Sequence, residues 1–192
     1  MVLVGIVGYA GSGKTTVART LVSRGFTELS FASRLKDVVS VLHGLPRDKL
    51  EGDTVSSREW RETFEIRPGY TPRAALQKVG DAMRGIYPDI WLDIVEKSIT
   101  ESPGDVVVTD CRYAHEVEMI KRNGGRIVRV VRNPPPAWEA LAQQGVNPND
   151  HGFKVHSSEY ALALLDADVT LVNDGTLKDL DTQVSNFFLG GH

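Results

Sequence analysis

Apolar residues fall along this chain in two alternating rhythms. Strand-like runs recur at 2–7, 27–31, 106–109, 126–131 and 169–172, and several of them are β-branched and apolar on both faces. Strand side chains point to opposite faces in turn, so such runs predict strands buried on both faces, as in a parallel sheet. Between them, apolar residues recur three and four apart at 14–23, 34–42, 72–86, 90–100, 114–122 and 177–188. That spacing gathers them on one side of a helix. In 14–23 the stripe is Val17, Ala18, Leu21 and Val22. Strands alternating with helices predict an α/β fold, a doubly wound sheet of about five parallel strands.

Two stretches interrupt the alternation. Residues 43–101 carry helical patterns and no convincing strand, and predict a helical insertion forming one wall of a cleft within a single 1–192 domain. Residues 133–158 contain Pro134, Pro135 and Pro136, then Gln144-Gly145-Val146-Asn147-Pro148, which break regular structure. An irregular stretch of this length reads as a mobile lid or as an ordinary surface loop.

Bulk properties narrow the partners. The 192 residues suffice for one such domain with a substantial core. The net charge of −3 leaves no basic footprint, so nucleic acid is not expected as a partner. Cys111 is the single cysteine, which excludes an intrachain disulfide and fits a reducing compartment. No apolar run approaches the roughly 20 residues that cross a bilayer. The first run has the length of a strand, not of a signal peptide. The expected location is the cytoplasm, with no membrane partner.

Open parallel sheets bind ligands at the carboxyl ends of their strands. The first strand runs directly into Gly8-Tyr9-Ala10-Gly11-Ser12-Gly13-Lys14-Thr15, a full G-x-x-x-x-G-K-[ST] phosphate loop, and a helix follows it. Such a loop wraps backbone N–H groups around a polyphosphate at a helix N-terminus. Gly8, Ala10, Gly11, Ser12, Gly13, Lys14, Thr15 and Thr16 are therefore the ATP-binding candidates. Lys14 is expected to reach the β- and γ-phosphates, and Thr15 to hold Mg²⁺ through its hydroxyl.

The third strand closes on Asp110. Its carboxylate suits Mg²⁺ held through water or a hydrogen bond from an acceptor molecule; the plainer alternative is a helix cap. Arg112 and Glu116 follow and could face the same cleft or form a surface salt bridge. Further back, Thr71 suits an N-cap and Pro72 a first helical residue. Arg73, Gln77, Gly80 and Arg84 are spaced by four, three and four and share one helix face. Two guanidinium groups on that face suit a phosphate monoester; otherwise the face is solvated and paired with Asp81 or Glu65. Lys36 and Arg34, after the second strand, are further phosphate candidates. Trp91 suits stacking on a base or packing in the core. Arg132, ending the fourth strand, is a candidate for the transferring group or a structural ion-pair partner. His115, His151 and His156 lack a zinc-binding spacing.

Together these segments resemble the phage-type deoxynucleoside monophosphate kinases of the P-loop superfamily. The resemblance rests on the loop, on Phe31-Ala32-Ser33-Arg34-Leu35-Lys36, on 71–84 with Trp91, and on Asp110-Cys111-Arg112 with Glu116. The tail, His156-Ser157-Ser158-Glu159 followed by Asn173-Asp174-Gly175-Thr176, adds to it. It implies transfer of the γ-phosphoryl of ATP, with Mg²⁺, to a deoxynucleoside monophosphate. It also implies that Lys36, Arg73, Gly80, Trp91, Asp110, Arg112 and Glu116 line the acceptor pocket; Arg84 joins them from the helix face. Lys14, Arg73 and Arg132 are the catalytic candidates. The expected partners are thus ATP and a small phosphorylated acceptor, with a homodimer open as an assembly state. Animal-type phosphomevalonate kinases are similar in the loop and the aspartate–arginine segment, and a non-kinase P-loop ATPase is the competing class.

Overall fold

The computed structural model describes residues 1–155 and 157–189. Its strands are β1 Leu3–Val7, β2 Thr27–Leu29, β3 Val106–Val108, β4 Arg126–Val131 and β5 Val169–Val172. Its helices are α1 Lys14–Ser23, α2 Phe31–His43, α3 Val55–Thr63, α4 Pro72–Ile86, α5 Ile90–Glu101, α6 Ala114–Arg122, α7 Glu139–Gln143, α8 Ser157–Tyr160 and α9 Leu177–Leu189. The chain divides into two compact units. One comprises residues 1–29 with the described residues from 101 onward, and the other Ser30–Thr100.

The first unit holds one sheet in the order β2-β3-β1-β4-β5, every pair parallel. Central β1 pairs on both sides, with Gly5 opposite Val108 of β3 and Ile127 of β4. Every residue of β1 and β3 is buried, as their unbroken apolar runs require. Val4 and Ile6 of β1, Val107, Val128, Val130 and Leu171 form a core with Val17, Ala18 and Leu21 of α1 and with Leu180, Val184 and Phe187 of α9. Gly5 points to the opposite face, where α6 lies so close that a Cβ would stand 3.2 Å from Ile120 Cγ1. Helices thus cover both faces of a five-stranded parallel sheet, the doubly wound arrangement expected from the alternation.

The second unit is helical. Val39, Leu45, Leu50, Ala75 and Leu76 form its core, with Leu35, Trp60, Ile66, Tyr70 and Val79 packed around them. Helix α4 starts as its sequence directs: Thr71 Oγ1 accepts the Ala74 N–H at 3.3 Å, and Pro72 takes the first turn.

Differences from the sequence expectation lie mostly at element ends. The second strand stops at Leu29, and Phe31 opens α2 as a buried residue instead of ending the strand. Residues 55–63 form a helix that the apolar pattern does not announce. Residues 133–158 include the short helix α7 and a 3₁₀ turn at Pro148–His151. The helical insertion expected at 43–101 corresponds to a unit that begins earlier, at Ser30, and ends at Thr100. Among the described residues, no helix is long and apolar enough to cross a membrane.

Candidate active site

The phosphate loop hangs from β1, whose pairing on both edges fixes where it begins. Gly8 has φ +153°, and a Cβ there would stand 2.4 Å from the Val130 carbonyl oxygen. Gly13 has φ +108°, and a Cβ would stand 2.1 Å from Asn173 Nδ2. Both positions therefore demand glycine, by backbone conformation and by space. Asn173 Nδ2 donates to the Ser12 carbonyl at 2.9 Å in a buried bond, so β5 braces the loop from behind. Tyr9 is held at its other end. Its hydroxyl donates to Glu139 Oε1 at 2.7 Å, and its ring meets Trp138 edge-on at 5.0 Å. Burial and that bond push the Tyr9 phenol well above its ordinary value.

Lys14 opens α1. Its ammonium donates to the Gly8 and Tyr9 carbonyls at 2.6 and 2.8 Å, lying across the loop. Its pKa is lowered to about 8, chiefly by burial and then by nearby Arg112, while Glu159 and Asp110 oppose the shift. Thr15 is exposed on the first turn of α1 and Thr16 is half-buried. Ser12 Oγ is buried with no hydrogen-bond partner among the described residues. Ala10 and Gly11 form the exposed tip, where a Cβ on Gly11 would meet nothing within 4 Å. An orphaned buried hydroxyl, a lysine ammonium and a helix N-terminus around a glycine loop fit a polyphosphate. The Thr15 hydroxyl and the Asp110 carboxylate offer the oxygen donors that Mg²⁺ takes. Among the described residues, no group of three or more His, Cys, Asp or Glu could hold a metal ion by itself, and His156 lies outside those residues.

Asp110 follows β3, next to β1 in the sheet, and is half-buried. The turn after it is clamped by Glu116, whose Oε2 accepts the Arg112 and Tyr113 N–H groups at 2.6 and 3.1 Å. Glu116 is buried, and its carboxyl is raised to about 7, chiefly by burial; the Asp110 charge favours the rise, while the two N–H bonds and the Arg112 charge oppose it. Cys111 is buried beneath Gly5, and burial raises its thiol far from reactivity. Arg112 Nη1 pairs with Glu159 Oε1 at 2.8 Å. Arg132 Nε donates to the Asn173 carbonyl at 3.2 Å. With Asn133, Asn173, Asp174 and Gly175 it lines a cleft of about 270 Å³ at the ends of β4 and β5.

In the helical unit each candidate cation has a carboxylate partner. Lys36 pairs with Glu51 at 2.7 Å, and Glu51 also bonds Arg47. Arg73 pairs with Glu62 at 2.8 Å, whereas Arg84 takes Asp81 at 3.1 Å. Glu65, the other partner expected for this face, accepts the Gly69 N–H instead. Arg34 pairs with Asp37 at 3.2 Å in an exposed i,i+3 pair. Arg73, Gln77 and Arg84 are exposed, while Gly80 is buried. A Cβ on Gly80 would stand 3.2 Å from Leu35 Cδ2, so this glycine lets α4 approach α2. Trp91 is buried, and its indole N–H has no hydrogen-bond partner among the described residues.

Three contributors escape sequence reasoning. Asn173 was visible only as a polar residue at a strand end. Glu139 lies 130 residues from Tyr9. Glu159, known only as part of a tail pattern, accepts the Ala10 N–H at 3.3 Å.

Known proteins share this chain's sequence family and fold. A family model described as an AAA domain matches residues 4–160. A protein of Acanthamoeba polyphaga mimivirus named "Putative deoxynucleotide monophosphate kinase" is 32% identical, the alignment covering 96% of this chain and 94% of the relative. Among solved structures, TT1252 from Thermus thermophilus superposes with a TM-score of 0.53 at 18% identity, covering 100% of this chain and 98% of its own. The dephospho-CoA kinase from Campylobacter jejuni gives 0.52 at 13% identity, covering 98% and 96%. At such identities these two share the fold. The chain belongs to the AAA-domain family of P-loop kinases.

Proposed function

We propose that this kinase transfers the γ-phosphoryl group of ATP to a deoxynucleoside monophosphate. The observation that carries the donor half is the loop itself. Its forced glycines, the buried Ser12 hydroxyl and the Lys14 ammonium at the start of α1 form a cradle for phosphate oxygens. The acceptor half is supported by the name of the mimiviral relative and by the 71–84 segment.

Phosphoryl transfer needs positioning and charge neutralisation more than covalent chemistry. Lys14 exchanges the Gly8 and Tyr9 carbonyls for phosphate oxygens, and the loop N–H groups join it. Thr15 and Asp110 would hold Mg²⁺, which when bound neutralises phosphate charge. Arg132, in its cleft with Asn173, is assigned to the donor side and the transferring group. Lys36 and Arg73 are assigned to the acceptor phosphate, which takes the place of Glu51 and Glu62 as their anion. Arg84, Gly80, Trp91, Arg112 and Asp110 are assigned to the rest of the acceptor, and Glu116 shapes the turn that carries two of them. A phosphate acceptor is nucleophilic near neutral pH, so no general base is required. We place the enzyme in a reducing cytoplasm, on its single buried cysteine.

Lys14→Ala tests the donor half: transfer is lost while the far-UV spectrum and unfolding transition persist. Near-normal turnover in that variant would remove the loop from the mechanism.

A further inference from the structure

Glu159 sits at the mouth of the phosphate loop with both carboxylate oxygens engaged. Oε1 accepts from Arg112 Nη1 at 2.8 Å, and Oε2 accepts the backbone N–H of Ala10 at 3.3 Å. Its side chain is only 22% exposed. The negative charge lies close enough to Lys14 to act on that ammonium, as does the positive charge of Arg112. A carboxylate is thus set among a loop N–H, a guanidinium and the loop lysine. A phosphoryl group recruits that same set of donors.

We propose that the γ-phosphoryl group of the donor competes with the Glu159 carboxylate for Ala10 N–H and Arg112, so that Arg112, assigned above to the acceptor, also ligates the group that passes between the two substrates. This rests on the reading that the loop binds ATP, and it is independent of the acceptor's identity. The Ala10 N–H is a single donor, and a phosphoryl group beside the Glu159 carboxylate meets like-charge repulsion, so Glu159 withdraws when the γ-phosphoryl arrives. The move is local. Helix α8 has four residues, and the Ala10 bond that tethers Glu159 is long. Arg112 is then left facing the phosphoryl oxygens in place of Glu159. ADP, which ends at the β-phosphate, leaves Glu159 where it is. The carboxylate therefore discriminates between the two nucleotides.

Titration calorimetry of Mg·ATP and Mg·ADP with the whole protein and with Glu159→Gln and Glu159→Asp tests this. Glu159→Gln keeps the shape and removes the competing charge. It should tighten ATP about tenfold, the scale of one charge-assisted hydrogen bond, and leave ADP unchanged. Glu159→Asp keeps the charge but withdraws it by one methylene from Ala10, and should favour ATP over ADP in the same direction. It carries the test if the glutamine variant does not fold. Adding Arg112→Ala to Glu159→Gln should take the ATP gain away. An equal gain for both nucleotides, or unchanged or weaker ATP binding in the folded variants, would overturn the proposal and make Glu159 a brace of the fold. A wild-type protein that binds neither nucleotide would instead refute the triphosphate reading of the loop.

Discussion

The side-chain amide of Asn173 donates to the Ser12 carbonyl at 2.9 Å, joining the end of β5 to the middle of the phosphate loop across 161 residues of sequence. Asn173 and Ser12 are both buried, so the bond has little access to replacement by water. Asn173→Ala should lower stability by about 1–3 kcal/mol, the range for orphaning a buried polar group, and weaken ATP binding. Asn173→Asp should weaken ATP binding more, since it places an anion beside the loop. Denaturant unfolding and ATP titration read the two effects.

Lys14 makes donor binding pH-dependent. Its pKa of about 8 in the protein lies below the ordinary lysine value, so the ammonium is lost as pH rises through 8. Bound phosphates favour the charged form, so ATP binding takes up a proton above pH 8. ATP affinity should be flat from pH 6.5 to about 7.5 and fall steadily above 8. Calorimetry in buffers of different ionisation enthalpy should detect the uptake at pH 9 and none at pH 7.

Glu116 gives stability a different slope. Its carboxyl is raised to about 7 from an ordinary value near 4.5, so the folded state favours the protonated form. The stability it contributes is full below pH 4.5, declines as pH rises to 7, and is then lost. Glu116→Gln removes the titration. The stability difference between wild type and variant should therefore fall across this window and be level above it, as measured by denaturant unfolding at each pH.

Gly80 separates packing from ligand approach. Alanine gains about 1 kcal/mol of helix propensity over glycine, and the added Cβ meets the flexible end of Leu35. Gly80→Ala should leave stability equal or higher while raising the acceptor KM. An unchanged KM would confine Gly80 to helix packing.

What the sequence made legible follows from where periodicity is strong. Strands β4 and β5 and helices α1, α4 and α6 begin and end where the apolar pattern places them, because each buries a clean face. Phe31 misled the strand boundary, since an apolar residue continues a strand pattern as readily as it starts a buried helix face. Helix α3 buries only Ser57 and Arg61, so it offers no apolar stripe to read. In the site, the glycine loop is visible because its requirements are local. Asn173, Glu139 and Glu159 are brought to it by the sheet topology and by long connections, which no spacing encodes. The pairing of Arg73 with Glu62, eleven residues away on another helix, is hidden for the same reason.

Arg73→Ala should raise the acceptor KM at least about tenfold, as expected for losing a charge-assisted contact, with ATP affinity unchanged. A parallel loss of ATP affinity would move Arg73 out of the acceptor site.

The most direct test is to supply ATP and Mg²⁺ with a panel of deoxyribo- and ribonucleoside monophosphates and phosphomevalonate, and to measure ADP and the phosphorylated product. The account predicts ADP formed in step with a deoxynucleoside diphosphate, and little without an acceptor. ADP released at the same rate whether or not a monophosphate is present, or product formed only from phosphomevalonate, would contradict it.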